Sequence, residues 1–238
     1  MAKYSIADFI VDIQNRFEYL EKQCVEYACK EDASAEFTIR VTDEELRQER
    51  LSSDAAYSNG YLESVCAYRR LCLDLPLRDA LLLHGSVIAC NGRGIAFLAR
   101  SGVGKSTHTL LWKSAYGDAV SIINGDKPIV RFVNGTPYAY GTPWAGKEGL
   151  QQNTSVPLTD LCFIERSAQN EALRADGAAC LDALMGQVLH PSESRRAIKT
   201  LELVDALTKR CRLWVIRCNT TQQAAQTAHA AIFGGMKE

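Results

Sequence analysis

The chain has 238 residues, 47% of them hydrophobic and 23% charged, with a formal net charge of −1 at pH 7. A chain of this size can bury a proper core without disulfide or metal staples, and its near-neutral balance excludes the basic field on which nucleic-acid and membrane-surface binders draw. No apolar run reaches the roughly 18 residues of a membrane-spanning helix, and the opening Met1-Ala-Lys-Tyr-Ser-Ile-Ala-Asp8 lacks the form of a secretory leader. A cytoplasmic protein with no nucleic-acid and no membrane partner is expected.

The first part of the chain reads as a small α+β region, residues 1–79. Phe9-Ile-Val-Asp-Ile13 predicts a strand, Phe17 to Ala28 a helix and Glu36-Phe-Thr-Ile-Arg-Val41 an alternating strand, while Thr42 or Asp43 caps a short charged helix ending near Ser52. Tyr61, Val65, Tyr68, Cys72 and Leu75 then recur at helical spacing, so 58–75 is an amphipathic helix whose stripe reads as core packing. Pro76 and Arg78-Asp79 close it and mark the boundary with the second region, 80–238.

That region opens with the apolar run Ala80-Leu-Leu-Leu-His84-Gly-Ser-Val-Ile-Ala-Cys90, followed by the hairpin signal Asn91-Gly92 and a short strand, Ile95-Ala-Phe-Leu98. On that run alone His84 reads as a core histidine. Next comes Ala99-Arg-Ser-Gly102-Val-Gly104-Lys105-Ser106-Thr107, the pattern of a phosphate-binding loop with alanine in place of the first glycine. Its glycines let backbone N–H groups close around phosphate oxygens, Lys105 supplies a point charge, and the Ser106 hydroxyl can ligate Mg²⁺. The following segment, His108 to Tyr116, predicts a helix stopped by Gly117, so strand, loop and helix stand in the order that aims a helix N-terminus at a bound anion.

Val120-Ser-Ile-Ile predicts the next buried strand, and Asn124-Gly125-Asp126-Lys127 follows it. Asp126 stands where a carboxylate can bind the metal or take a proton from an attacking hydroxyl, although Asn-Gly-Asp is also ordinary turn chemistry. A second hairpin is predicted at Asn134-Gly-Thr-Pro137, between Pro128–Val133 and Tyr138–Tyr140, so the sheet is expected to be mixed and largely antiparallel. Gly141-Thr-Pro-Trp144-Ala-Gly146-Lys147-Glu-Gly149 is a long glycine-rich loop, either a surface segment or one that brings Lys147 to the nucleotide or closes over an acceptor. A strand at Leu161–Glu165 ends beside Arg166, which either contacts phosphate or faces water; helices over 178–189 and 192–210, a strand Leu213–Ile216 and a helix from about Thr221 complete the chain. The nine cysteines, Cys24, Cys29, Cys66, Cys72, Cys90, Cys162, Cys180, Cys211 and Cys218, contain no C-x2-C pair and read as buried thiols.

The series Leu83-His84-Gly85-Ser86, a hairpin, Ser101-Gly-Val-Gly-Lys-Ser106 and an aspartate at a strand end, Asp126, resembles the catalytic domain of the HPr kinase/phosphorylase family, whose nucleotide fold is shared with phosphoenolpyruvate carboxykinase. The resemblance covers about residues 80–166, and Ser106-Thr-His-Thr-Leu-Leu-Trp112, Ile123-Asn-Gly-Asp-Lys-Pro128 and Tyr140-Gly-Thr-Pro-Trp-Ala-Gly-Lys147 are similar to an HPr-kinase-like bacterial group of unassigned substrate. It implies an α/β fold whose mixed, largely antiparallel sheet carries a P-loop, with Ser101, Gly102, Val103, Gly104, Lys105, Ser106, Thr107 and Lys147 on the nucleotide. It also implies Ser106 and Asp126 on Mg²⁺, catalytic roles for Asp126, His84 and Lys105, and a homo-oligomer. The family's paired aspartates are reduced here to one, Gly125 standing in the first place, and its glycine-rich signature is absent, the region being occupied by 141–158, which disfavours HPr as substrate.

The expected function is therefore an ATP- and Mg-dependent kinase acting on a serine-like hydroxyl of a peptide, protein or small molecule. The Gly125 substitution keeps open a non-catalytic nucleotide sensor. A carboxykinase-type enzyme is disfavoured because the chain is short and shows no second set of basic substrate ligands.

Overall fold

The computed structural model describes residues 2–29, 33–53 and 55–234. Strands β1 (Ala2–Ile6) and β2 (Phe9–Ile13) form an antiparallel hairpin that the sequence pattern did not announce. Its two-residue turn is Ala7-Asp8, both at positive φ (53° and 58°), the geometry that twists with a hairpin but that normally advertises itself with Asn-Gly. The helix expected over 17–28 is shorter: α1 (Glu18–Gln23) ends at Cys24 and passes into a single tight 3₁₀ turn, Val25–Tyr27. Strand β3 (Phe37–Ile39) lies parallel to β2.

Helix α2 (Asp43–Leu51) starts at the expected cap. Thr42 Oγ1 accepts from the Glu45 N–H at 3.3 Å, and the Glu45 carboxylate accepts from the Thr42 N–H at 2.8 Å, so two otherwise orphaned donors are satisfied reciprocally. Helix α3 (Asn59–Asp74) follows, capped by Ser58. Of its predicted stripe, Tyr68, Cys72 and the following Leu75 are buried, whereas Tyr61 and Val65 remain partly exposed. Their exposure has a cause: they face a cavity rather than a core.

The remainder comprises β4 (Ala80–Leu82), β5 (Gly85–Cys90), β6 (Arg93–Leu98), α4 (Lys105–Tyr116), β7 (Val120–Asn124), β8 (Ile129–Val133), β9 (Thr136–Tyr140), β10 (Ser155–Arg166), β11 (Glu171–Ala175), α5 (Gly177–Met185), α6 (Ser194–Arg210), β12 (Arg212–Cys218) and α7 (Gln222–Phe233). The strands make one curled mixed sheet in the order β4-β8-β9-β10-β6-β5-β7, with β12 also on β10 and β11 on β12. Two pairings, β6 with β10 and β10 with β12, are parallel and the others antiparallel. The curl is carried by β10, whose first residues pair with β9 while the rest lies between β6 and β12.

Three departures from the sequence reading matter. The run 80–90 is not one strand but breaks at Leu83-His84, where the chain leaves the neighbour β8 for β6 and β7. Strand β10 spans twelve residues rather than 161–165, and β11 is an exposed edge strand too polar to show a period. Helix α5 starts one residue before the expected 178 and ends four short of 189, at Met185, and α6 falls within the expected 192–210.

Apolar side chains gather in three clusters. One joins β1, β2, α1 and α3 to Ala80, Leu82, Ile129, Tyr140 and Trp144, so the first 79 residues share a core with the sheet. A second lies between the sheet and α5 and α6, and a third centres on Trp112 of α4 with β12 and α7. Eight of the nine cysteines are buried. Among the described residues no helix is long and apolar enough to cross a membrane.

Candidate phosphate-binding and transfer site

The segment 99–104 leaves the end of β6 and enters α4. Gly102 (φ 78°) and Gly104 (φ 129°) both take backbone conformations that a side chain would strain, which is why glycines stand there. No side chain caps the first turn of α4, and that turn holds no acidic residue. Its N–H groups and the positive end of the helix dipole are thus left to whatever lies in front. Arg166, at the end of β10, donates from Nε to the Val103 carbonyl at 3.0 Å and from its terminal nitrogen to the Gly102 carbonyl. Exposed at the strand end, it braces the loop through these two bonds.

Lys105 is buried, and its Nζ donates to the Ala99 carbonyl at 2.8 Å and lies 3.3 Å from His84 Nε2. His84 is placed by the break between β4 and β5. Its own N–H donates to the Gln187 carbonyl at 2.6 Å, and the next N–H, of Gly85, donates to the Asp126 carbonyl at 3.0 Å. Gly85 has to be small, since a Cβ there would stand 2.5 Å from Leu98 Cδ2. Backbone pairing therefore brings the His84 ring to Asp126, with Nε2 3.3 Å from Oδ1. One ring nitrogen thus faces both an ammonium and a carboxylate: protonated it donates to Asp126, deprotonated it accepts from Lys105.

Asp126 follows β7 in a turn held by Asn124, whose Oδ1 accepts from the N–H groups of Asp126 (2.9 Å) and Lys127 (2.7 Å). Lys127 Nζ donates to the Asp126 carboxylate at 2.6 Å. Burial alone would raise the pKa of this carboxyl, but the hydrogen bonds from His84 and Lys127 outweigh it and hold the group down at about 2. Burial lowers the Lys105 ammonium below its usual value, with Asp126 opposing and Lys127 reinforcing the shift.

The loop 141–149 is no loose surface segment. Asn124 Nδ2 donates to the Thr142 carbonyl at 3.1 Å, Thr142 Oγ1 donates to the Lys127 carbonyl at 2.7 Å, and the Gly125 N–H donates to the Leu150 carbonyl at 2.8 Å. These bonds set Ala145, Gly146, Lys147 and Glu148 along one side of a cavity of about 930 Å³. His84, Ser101, Gly102, Gly104, Lys105, Ser106, Thr107 and Asp126 line it as well. Val103 alone of the anticipated residues lies elsewhere, on a neighbouring cavity of about 530 Å³ with Arg166, because its side chain packs toward the core around Trp112.

Sequence reasoning missed Lys127 and the opposite wall, formed by Tyr19, Gln23, Tyr61, Ser64, Val65, Tyr68 and Trp144. The only signal available was the stripe on α3, and a 3.6-residue period does not distinguish a core from a cavity wall. For a divalent cation, the hard oxygens of Asp126 and Ser106 on one cavity suit Mg²⁺, which takes one or two protein oxygens and completes its shell with phosphates and water. Among the described residues no group of three or more His, Cys, Asp and Glu side chains forms a closed metal cage.

No protein family's profile matches the chain, and no curated protein matches it. Among solved structures it is similar to the Hpr(Ser) kinase/phosphatase from Coxiella burnetii, at 12% identity over 54% of this chain and 92% of that chain, with a TM-score of 0.29. A likeness this slight leaves the functional reading to the chemistry of the cavity itself.

Proposed function

We propose that the chain is an ATP- and Mg²⁺-dependent phosphotransferase that moves the γ-phosphoryl group to a serine-like hydroxyl. The observation that carries this reading is the convergence of Lys105, Ser106, His84 and Asp126 on the cavity faced by the uncapped start of α4. The N–H groups of 102–107 would cradle the phosphate tail, and Lys105 would exchange its bond to the Ala99 carbonyl for phosphate oxygens. Asp126 and Ser106 would hold Mg²⁺, which when bound neutralises charge on the phosphate oxygens.

In the transfer the acceptor oxygen attacks the γ-phosphorus in line, an O–P bond forms, the bond to the β–γ bridging oxygen breaks, and ADP leaves. The acceptor proton passes to the His84–Asp126 pair. A carboxylate held at about 2 is a weak base at neutral pH, so Asp126 serves to orient the imidazole, whose Nε2 lies 3.3 Å from its Oδ1. Transfer then rests on positioning and fixed charge rather than on covalent chemistry.

Titration with ATP and MgCl₂ by calorimetry, together with transfer of labelled γ-phosphate, tests the reading. Binding is expected to weaken at least about tenfold in Lys105→Met, the loss of one charge-assisted contact. Absence of any Mg–ATP signal would sink the proposal. The close Lys127–Asp126 pair and the single carboxylate favour a second reading, a nucleotide sensor, which binding without turnover or transfer would select.

A further inference from the structure

The wall of the cavity formed by α1, α3 and Trp144 carries different chemistry from the phosphate end. The Tyr19 ring stands edge-on to Tyr61, with centroids 5.9 Å apart, and Tyr68 packs on Trp144 at 4.9 Å. The polar groups between them are tied to each other: Ser64 Oγ donates to Gln23 Oε1 at 2.5 Å and accepts from Trp144 Nε1 at 3.0 Å. What remains unspent is aromatic surface: the rings of Tyr19 and Tyr61 are partly exposed, whereas the Tyr68 hydroxyl is buried and interacts with the Cys72 thiol.

Charge narrows the ligand further. Among the described residues no arginine lines the cavity; Lys105, Asp126 and Lys127 sit together at the transfer end, and Lys147 and Glu148 bring one charge of each sign. A carboxylate or phosphate on the acceptor would lose its water beside the tyrosines without meeting a guanidinium, a cost that a neutral ligand avoids. Tyrosine and tryptophan offer flat apolar faces with polar tips, the pairing that holds a ring bearing hydroxyl groups.

We propose that the Tyr19–Tyr61–Tyr68–Trp144 wall is the acceptor subsite, and that it takes an uncharged alcohol carrying a flat or ring-shaped group, its hydroxyl directed toward Asp126. This rests on the phosphotransferase reading for its role but not for its chemistry. The exposed faces of Tyr19 and Tyr61 stack on its ring.

Calorimetry on the full chain, nucleotide-free and loaded with Mg²⁺ and the non-hydrolysable analogue AMP-PNP, tests it with three probes. N-acetyl-seryl-phenylalanine amide and methyl β-glucoside supply the neutral ring from two sources, and glycerate supplies an anionic alcohol. One of the neutral probes is expected to bind, at least tenfold more weakly in Tyr61→Ala and several-fold more weakly in Tyr19→Ala, with AMP-PNP affinity unchanged in both. Glycerate binding as tightly as the neutral probes, neither neutral probe binding in either state, or tyrosine variants binding them unchanged would overturn the proposal. Tyrosine-dependent binding of a neutral probe without any AMP-PNP binding would uphold the ring subsite and remove the nucleotide reading alone.

Discussion

The α-carbon of Gly125 is pressed against the carbonyl of Ala145: a Cβ at 125 would stand 3.0 Å from that oxygen and 3.4 Å from the carbonyl oxygen of Leu150. A second carboxylate there would have to push back the 145–150 segment by a few tenths of an ångström, and the Gly125 N–H binds that same segment. Gly125→Asp is therefore expected to lower stability by about 1–3 kcal/mol, the usual cost of overpacking, rather than to restore a lost activity. For a chain of this size that is a fall in Tm of roughly 2–4 °C per kcal/mol, read by thermal denaturation beside a phosphate-transfer assay. A more active variant at unchanged Tm would refute this account of the glycine.

Asp126→Asn keeps the shape of the turn but removes the anion that faces His84, Lys105 and Lys127. Transfer is expected to fall by at least about a hundredfold while Mg-free nucleotide binding persists, since loss of general acid–base function costs on that order. The native carboxyl, depressed from 3.8 to about 2, contributes stability that is complete above pH 4 and lost as pH falls through 2. Acid unfolding curves between pH 4 and pH 2 should accordingly be shallower for the variant.

His108 lies on the buried face of α4. Its Nε2 accepts from the Trp112 indole N–H at 3.1 Å, and burial lowers its pKa from 6.5 to about 4. The unfolded chain binds a proton near pH 6.5 that the folded chain refuses, so stability is complete above that pH and falls as pH drops toward 4. The loss is on the order of 3 kcal/mol. Denaturant titrations at pH 7 and pH 5 check it: His108→Gln, which still offers the indole an acceptor, is expected to flatten the slope.

Asp160 is wholly buried and accepts from Arg212 Nε (2.8 Å), Trp214 Nε1 (2.8 Å), Thr159 Oγ1 (2.7 Å) and the Arg93 guanidinium (2.5 Å). It joins β6, β10 and β12 at the ends remote from the cavity. Asp160→Ala takes the carboxylate from buried donors and is expected to cost about 3–5 kcal/mol, seen as a lower denaturation midpoint. A change below about 1 kcal/mol would show the network to be solvated.

Parts of the candidate site were legible because their causes are local. Gly102 and Gly104 serve a turn that needs positive φ, Lys105 opens a helix with the right period, and Asp126 follows a short apolar strand. His84 was legible only through the family resemblance: by pattern its run of leucines reads as core, and the switch of sheet neighbours at Leu83-His84 is what puts its ring beside Asp126. Tyr61 and Val65 share a period with buried Tyr68 and Cys72, and nothing in that period records that a cavity rather than a core faces them. Likewise β1 hides behind a turn without glycine, and β11 behind an edge with little apolar alternation.

What the sequence by itself determined is thus the loop between β6 and α4, the aspartate after β7, and a mixed α/β chain with more antiparallel than parallel neighbours. These follow from backbone freedom and side-chain period within about a dozen residues. Only the tertiary structure decided that α1 and α3 wall the cavity opposite Lys105, that Arg166 braces the loop, and that Gly125 makes room for Ala145. The reason is physical: those contacts join segments far apart in the chain, and their energy comes from burial and pairing with partners that no local pattern names.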